Sequence, residues 1–223
     1  MIQTPPDWEG KDDSRRLYLA SASPRRRELL NRLGVRFTVV VSRFPEESLS
    51  HMTDGEKYVA AAAEGKAYEV ASRRHGLILG VDTDVVAPDG AILGKPTDAE
   101  DAKRLLRLLS GKTHSVYSGV TLLESVEGEG LIKSQTRVVR TDVTFIQLPE
   151  EAIDAYVATG EPMDKAGAYG MQGYAMPFVA RIEGDPSNVI GLPLATLSEM
   201  LSDFKLRLWN IPQDEFVNKA QQT

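Results

Sequence analysis

The chain has 223 residues, of which 42% are hydrophobic and 26% charged, and these proportions are typical of a globular rather than a disordered protein. It contains no cysteine, which excludes disulfides, thiolate metal sites and thiol nucleophiles and favours a cytoplasmic location. The net charge is −6, only three histidines are present and no apolar run has membrane-spanning length, so we expect no stable nucleic-acid partner, no histidine-based catalysis and no membrane attachment.

Strand-like and helix-like segments alternate in the N-terminal half of the chain, which is typical of an α/β fold. The predicted strands of this half are 17–21, 36–41, 77–86 and, after a turn at 88–90, 91–93. The predicted helices are 24–33 and 54–73. Ser23 and Asp54 are suitable N-caps for these helices, and Pro24 suits the first helical position because its ring presets the backbone.

The C-terminal half continues this pattern. Its predicted helices are 98–109, 149–159 and 194–208, and its predicted strands are 114–123, 137–148 and 178–182. The turn-rich segment 127–130 predicts a hairpin between the first two of these strands. Residues 160–173 contain four glycines without periodicity, so we expect a shaped loop there. We predict a single domain over 17–208, preceded by an extension, 1–16, and followed by a polar tail, 209–223.

The turn between the first strand and the first helix carries a basic cluster, Ser21-Ala-Ser-Pro-Arg-Arg-Arg27. Its three arginines lie at the end of the helix where the macrodipole is already positive. A bound anion would relieve that repulsion, because N–H groups, hydroxyls and guanidinium forks would converge on its oxygens. The alternative is that the arginines are solvated surface charges. In the anion interpretation, removal of Arg25 or Arg26 leaves the stability of the free protein unchanged or raises it.

Acidic residues form a second cluster. Glu46 and Glu47 follow the second predicted strand, and Asp82 and Asp84 lie inside an otherwise apolar strand. An acid in a buried strand is costly unless it is paired or bound to a metal. Side chains alternate along a strand, so Asp82 and Asp84 point to the same face, roughly 7 Å apart. Two like charges on one face favour a nearby cation, and the alternative is a solvated edge strand.

Three further polar residues stand out by their surroundings. Lys66 lies in an alanine-rich helix and Lys95 in a Gly-Lys-Pro turn, and either lysine taken alone is more often solvated than functional. Gln172 lies in the glycine-rich loop. Its amide both donates and accepts hydrogen bonds, as the reading of a nucleotide base requires.

Several ordered motifs together resemble one family, the Maf family of nucleoside triphosphate pyrophosphatases, over roughly 17–205. These motifs are Leu19-Ala-Ser-Ala-Ser-Pro-Arg-Arg26, Asp82-Thr83, Ile92-Leu-Gly-Lys-Pro96, Leu109-Ser-Gly111 with His114, Gly160-Glu-Pro162, Asp164-Lys-Ala-Gly-Ala-Tyr-Gly-Met-Gln-Gly173 and Asn188-Val-Ile-Gly-Leu-Pro193. The resemblance implies an α/β fold similar to the inosine triphosphatases (Ham1), with an elongated, mixed, twisted sheet flanked by helices and two lobes around a cleft. It also implies a cytoplasmic, metal-dependent enzyme, and family members commonly form homodimers.

The resemblance also assigns site residues by position. The implied catalytic residues are Glu46, Lys66, Asp82 and Lys95. The implied substrate-binding residues are Ser21, Ser23, Arg25, Arg26, Thr83 and Gln172. Asp82 is the expected proton acceptor. Glu46 and Asp82 are the expected ligands of a divalent cation, with Mg²⁺ in first place and Mn²⁺ or Co²⁺ as alternatives.

The glutamine in the loop matches the branch of the family that prefers dTTP and UTP. We therefore expect hydrolysis of dTTP, UTP or modified pyrimidine nucleotides to the monophosphate and pyrophosphate. Two alternatives stay open: a pyrophosphatase for 7-methyl-GTP or a modified purine nucleotide, and a nucleotide-binding regulator without catalysis.

In one place the chain departs from the family pattern. Asp84 stands where an apolar residue normally follows the Asp-Thr pair, and the spacing from Asp82 to Lys95 is one residue longer than usual. Either the hairpin is longer or Asp84 forms a β-bulge. The choice between Asp82 and Asp84 as the catalytic acid stays open at this point.

Overall fold

Six strands form one mixed sheet in the computed structural model, which describes residues 16–206. The strands are β1 (Leu17–Leu19), β2 (Thr38–Val39), β3 (Gly76–Val86), β4 (Thr113–Val126), β5 (Gly130–Phe145) and β6 (Val179–Glu183). The α-helices are α1 (Pro24–Arg32), α2 (Gly55–Ala71), α3 (Ala99–Leu109), α4 (Glu150–Ala158), α5 (Pro186–Ile190) and α6 (Leu194–Asp203). The predicted tail 209–223, the end of the last predicted helix and all of the predicted extension except Arg16 lie outside the described residues. None of the helices within 16–206 is long and apolar enough to cross a membrane.

The strand order is β2-β1-β3-β4-β5-β6. Strand β1 runs parallel to β2 and β3, whereas β3, β4, β5 and β6 pair antiparallel. This arrangement confirms the predicted α/β class with a mixed sheet flanked by helices. Strand β2 is much shorter than the predicted 36–41, because β1 ends at Leu19 and offers the edge strand few backbone partners.

The predicted N-caps are confirmed, whereas the short strand predicted at 91–93 is not. Ser23 caps α1 and Asp54 caps α2 as predicted, and Asp98 caps α3 in the same way: each side chain accepts a hydrogen bond from a backbone N–H. The predicted partner 91–93 is reduced to a bridge between Val86 and Ile92. Among the α-helices of residues 16–206, only α5 was not predicted from the sequence pattern, since its five residues are too few to show periodicity.

Helix α2 packs closely on the sheet, and this contact decides where the acidic residues point. A Cβ atom on Gly80 would lie 2.3 Å from the carbonyl oxygen of Ala63, and one on Gly119 would lie 2.1 Å from that of Val59. Gly119 is the register partner of Asp82. Alternation along β3 therefore turns Asp82, like Gly80, toward α2.

The register of β3 on β4 also tests the spacing anomaly. Pairing runs from Gly76 opposite Ser125 to Val86 opposite Ser115 without a shift. A β-bulge at Asp84 is therefore wrong, because a bulge would displace the register by one residue. The longer connection after Val86 remains as the explanation.

Two large apolar cores lie on either side of the cleft described below. One joins β1, α1 and α6 to the sheet, around Leu19, Leu30 and Met200. The other joins α3, α4 and the glycine-rich segment, around Leu105, Phe145 and Tyr156. Residues from the borders of both cores line the cleft, which agrees with the expected two-lobed organisation.

Candidate active site

All ten predicted site residues line one cleft of about 880 Å³. They come from the turn between β1 and α1, the 3₁₀-helix Glu46–Leu49, helix α2, strand β3, the connection after β3 and the segment 160–173. Asp84 lines the same cleft. Residues that are distant along the chain thus meet in a single concave site, as a substrate-binding pocket requires.

Lys66 lies between two carboxylates. Its ammonium Nζ is 2.6 Å from Oδ1 of Asp82 and 2.9 Å from Oε1 of Glu46. Only 12% of the Lys66 side chain and 10% of the Asp82 side chain are exposed, whereas 47% of the Glu46 side chain is exposed. The three charges form an ordered acid–lysine–acid arrangement at the inner wall of the cleft.

Asp84 is also buried, but its partners are backbone groups. Its Oδ1 accepts from the backbone N–H groups of Val85, at 2.8 Å, and Gly94, at 3.1 Å. Burial, with the negative charge of Asp82 as a further cause, raises the pKa of Asp84 to about 7. Beyond Leu79, strand β3 no longer pairs with β1, so Asp82 and Asp84 lie where only β4 is paired with the strand. They are nevertheless buried, so the interpretation as a solvated edge strand is wrong.

Arg26 is built into the protein rather than exposed to solvent. It donates from Nε to the carbonyl of Gly191, from Nη1 to Val81 and Ser21, and from Nη2 to Thr83, over distances of 2.8–3.0 Å. Burial lowers its pKa to about 10. Of the five N–H groups of a guanidinium, one on Nη2 remains without an acceptor within residues 16–206.

The serines of the turn support the same structure. Ser21 Oγ accepts from Nη1 of Arg26 at 2.8 Å and from the backbone N–H of Ser23 at 3.2 Å. Ser23 Oγ accepts from the backbone N–H of Arg26 at 3.5 Å. The interpretation of Arg26 as a solvated surface charge is therefore wrong.

Arg25 instead reaches across the cleft. Its Nη1 is 2.9 Å from Oδ2 of Asp164 in the glycine-rich segment, and 29% of its side chain is exposed. Lys165 holds the other oxygen of Asp164 at 2.6 Å. Arg25 and Asp164 thus connect the turn before α1 to the opposite wall, a contact that the sequence did not predict.

Lys95 and Gln172 occupy the outer part of the cleft, and both side chains are exposed. Within residues 16–206 no hydrogen bond or ion pair restrains either side chain. The segment that carries Gln172 folds as short turns and 3₁₀-helices, as expected of a shaped loop. Both polar groups are therefore available to a bound molecule.

Two residues that contact the backbone around Gln172, one on α4 and one within the segment itself, were not identified as site residues from the sequence. Tyr156 of α4 and Glu161 at the start of the 3₁₀-helix Glu161–Asp164 hydrogen-bond to each other, and both bond to the backbone around Gln172. Glu161 belongs to the Gly-Glu-Pro motif, but nothing in the sequence shows which backbone groups its carboxylate contacts.

Oxygen donors of the expected kind are present for a divalent cation. Among the described residues, no three His, Cys, Asp or Glu side chains converge as a metal site. Mg²⁺, however, needs only one or two carboxylates when substrate phosphates and water complete its shell. Glu46 and Asp82 already share one cationic partner, the ammonium of Lys66, so their donor chemistry fits such an ion.

Comparison with known proteins identifies the family. A family model described as Maf-like protein matches residues 16–204, and the chain belongs to this family. A protein of Moorella thermoacetica named dTTP/UTP pyrophosphatase is 49% identical over 196 residues, which cover 87% of this chain and 97% of that protein. A Bacillus cytotoxicus protein of the same name is 48% identical over 85% of this chain and 96% of its own length.

A solved structure from Mycobacterium abscessus, described as a nucleoside-triphosphatase and dITP/XTP pyrophosphatase, is a more distant likeness. It is 15% identical, with a TM-score of 0.44, over 85% of this chain and 97% of that one.

Proposed function

We propose that this protein hydrolyses dTTP and UTP between the α and β phosphates and releases the monophosphate and pyrophosphate. The observation that carries the proposal is the placement of Lys66, with its two carboxylates, in the same cleft as the arginine turn and Gln172. Cleavage of a phosphoanhydride needs charge neutralisation, in-line positioning and an acceptor for the proton of water. Each of these needs has a matching group here.

The triphosphate would lie along the basic wall. Arg25, Arg26 and Lys95 all line the cleft, and so does the N-terminal end of α1. Helix N-termini and guanidinium groups both bind phosphate oxygens. A bound phosphate would compete with Asp164 for Arg25, so we expect that ion pair to open when substrate binds.

The acidic wall would hold the metal and the water. Glu46 and Asp82 are the proposed ligands of Mg²⁺, with Mn²⁺ or Co²⁺ as alternatives. When bound, the cation supplies neutralisation of phosphate charge. Asp82 is the proposed proton acceptor, because it is buried in the cleft and Lys66 holds one of its oxygens in place at 2.6 Å. The proton of the attacking water would pass to the other oxygen.

Gln172 would recognise the base. Uracil and thymine present a carbonyl next to a ring N–H, and one carboxamide can donate to the first and accept from the second. Cytosine presents an unprotonated ring nitrogen and an amino group at the corresponding positions, so a fixed amide mispairs with it at a cost of about 1–3 kcal/mol.

We further propose a cytoplasmic homodimer without a stable nucleic-acid partner. The absence of cysteine supports the cytoplasmic location, and the net charge of −6 argues against a nucleic-acid partner. The dimer is proposed because members of the family commonly form homodimers. Light scattering of the purified protein would measure the mass of the particle, and a monomer at micromolar concentration would contradict the dimer.

The decisive assay measures pyrophosphate release from a panel of nucleoside triphosphates with Mg²⁺, Mn²⁺ or Co²⁺ and with EDTA. We expect turnover of dTTP and UTP, weak turnover of CTP and none in EDTA. A preference for 7-methyl-GTP would contradict the base assignment. Nucleotide binding without turnover of any triphosphate would instead support the regulator, and Lys66→Met serves as the matched inactive control.

A further inference from the structure

The backbone around Gln172 is held at both ends by one pair of side chains. The N–H of Gly170 donates to the hydroxyl oxygen of Tyr156 at 3.2 Å. The N–H of Tyr174 donates to Oε2 of Glu161 at 3.0 Å. The Tyr156 hydroxyl donates to the other oxygen of Glu161, also at 3.0 Å, and so closes the pair. Tyr156 and Glu161 therefore hold the backbone of residues 170–174 on either side of Gln172, and we call this pair of side chains the clamp.

Close packing reinforces these hydrogen bonds. A Cβ atom on Gly173, the residue next to Gln172, would lie 2.1 Å from Oε2 of Glu161. A Cβ atom on Gly170 would lie 2.5 Å from Cε of Lys165. A larger residue at either position would require Glu161 or Lys165 to shift. The carboxylate of Glu161 thus touches the backbone immediately beside the proposed base-reading amide.

The clamp itself is anchored to the protein body. Tyr156 is only 3% exposed, and its ring packs edge-to-face on Phe178 with centroids 5.2 Å apart. The backbone carbonyl of Glu161 accepts from Nζ of Lys165 at 2.6 Å. Tyr156 lies on α4, so the clamp fixes an otherwise irregular segment relative to a regular element.

We propose that Glu161, through its pairing with Tyr156, is a positioning residue that orients Gln172 and thereby sets the discrimination between uracil and cytosine nucleotides. The inference rests on the proposed function. Glu161 would act through the loop rather than by contact with the base, since both of its carboxylate oxygens are engaged by protein donors. The effect should therefore fall on base selection and leave the phosphate end of the cleft unchanged.

Three variants test this role. Glu161→Ala removes both acceptors. Glu161→Gln keeps an acceptor for the Tyr174 N–H, and its NH₂ can donate to the Tyr156 oxygen, so it is the rescue variant. Tyr156→Phe removes the hydroxyl but keeps the ring on Phe178, and it decides the question if Glu161→Ala does not fold. Glu150→Ala on α4, which loses only an exposed ion pair with Arg107, is the matched control.

The measurements are kcat/KM for UTP and CTP and inhibition by inorganic tripolyphosphate, which probes the phosphate end alone. We expect Glu161→Ala to lower the UTP:CTP ratio about tenfold while tripolyphosphate inhibition stays within about twofold of the wild type. Tyr156→Phe should change the ratio in the same direction, and Glu161→Gln and Glu150→Ala should retain the wild-type ratio.

Other outcomes overturn the inference in distinguishable ways. An unchanged ratio in Glu161→Ala and Tyr156→Phe, in an enzyme that does hydrolyse UTP, would overturn the positioning role alone. A parallel loss of UTP turnover, CTP turnover and tripolyphosphate binding would show a general structural role instead. Failure of the wild type to hydrolyse UTP would overturn the proposed function and this inference with it.

Discussion

The two ends of the cleft are built in different ways. At the phosphate end, charged groups lie mainly on helices and strands and are fixed by contacts within the protein. Arg26 donates to the backbone of β3, and Lys66 forms ion pairs with Glu46 and Asp82. At the base end, Gln172 lies on an irregular segment, and its side chain is exposed.

This difference separates the part of the site that carries the chemistry from the part that selects the base. Electrostatic stabilisation of a phosphate needs charges that are fixed before substrate arrives, and regular elements fix them. Base selection needs a few hydrogen-bonding groups at a set position, which a loop with its own clamp can supply. Substitutions around Gln172, which leave Asp164 and its ion pair with Arg25 in place, should then alter the preferred base without disturbing the phosphate end.

The largest effect is expected at Asp82. Asp82→Asn removes the proposed proton acceptor and the negative charge that pairs with Lys66, so kcat for UTP should fall about 10²–10⁴-fold, with nucleotide binding largely retained. Asp84→Asn should be milder, because its Oδ1 still accepts from the Val85 and Gly94 N–H groups. Steady-state kinetics and binding of a non-hydrolysable analogue measure the two effects. Loss of activity in Asp84→Asn but not in Asp82→Asn would reverse the assignment of the acid.

The two arginines of the turn should separate stability from catalysis. Arg26→Ala leaves the carbonyls of Val81 and Gly191 without their buried donor, so the free energy of unfolding should fall by about 2–4 kcal/mol. Arg25→Ala removes one partly exposed ion pair, so stability should change by less than about 1 kcal/mol while kcat/KM falls. Urea denaturation of both variants provides the comparison, and equal stabilities would show that the Arg26 contacts contribute little.

This contrast also shows where inference from the sequence fails. From the sequence alone, Arg25 and Arg26 are equivalent members of one positive cluster. Removal of either is then expected to leave the stability of the free protein unchanged or to raise it. The buried side chain of Arg26, with its four hydrogen bonds to protein acceptors, predicts the opposite for that residue. Its partners are backbone carbonyls of residues 81 and 191, and no side-chain pattern reveals contacts with a distant backbone.

Other parts of the site could be predicted because their causes are local. The caps at Ser23 and Asp54 follow from the chemistry of single residues, and the shared face of Asp82 and Asp84 follows from strand alternation. The clamp of Glu161 on Gly173 could not be predicted, because it depends on where two loop segments meet in space. Resemblance to the family supplied the grouping of all ten site residues, which periodicity alone does not.

A pH experiment tests how firmly the base-end segment is attached to the sheet. His114 of β4 is 2% exposed, bonds Tyr169 through Nε2 at 2.9 Å, and has its pKa lowered to about 4 by burial, partly offset by the charge of Asp142. The unfolded chain therefore takes up a proton near pH 6.5 that the folded protein refuses until about pH 4. Stability should fall by roughly 2 kcal/mol between pH 6.5 and pH 5 from this group alone.

The control for this experiment is His114→Gln, which is neutral throughout. The difference in unfolding free energy between the wild type and this variant isolates the histidine from the carboxylates that titrate in the same range. The stability of the wild type relative to His114→Gln should therefore be smallest at low pH. Parallel stability curves from pH 7 to pH 5 would show that His114 takes up its proton in the folded state without cost.

The smallest effect concerns the amide at the base end. In Gln172→Glu a carboxylate can accept from the ring N–H of uracil but cannot donate to the adjacent carbonyl, so one of the two proposed hydrogen bonds becomes a repulsive contact. We expect kcat/KM for UTP to fall about tenfold, with a smaller change for CTP, whose amino group can still donate to a carboxylate. If Gln172 instead only supports the loop, UTP and CTP turnover should fall together. An unchanged UTP:CTP ratio would therefore exclude base reading by Gln172, and retained inhibition by tripolyphosphate would confirm that the phosphate end is intact in the variant.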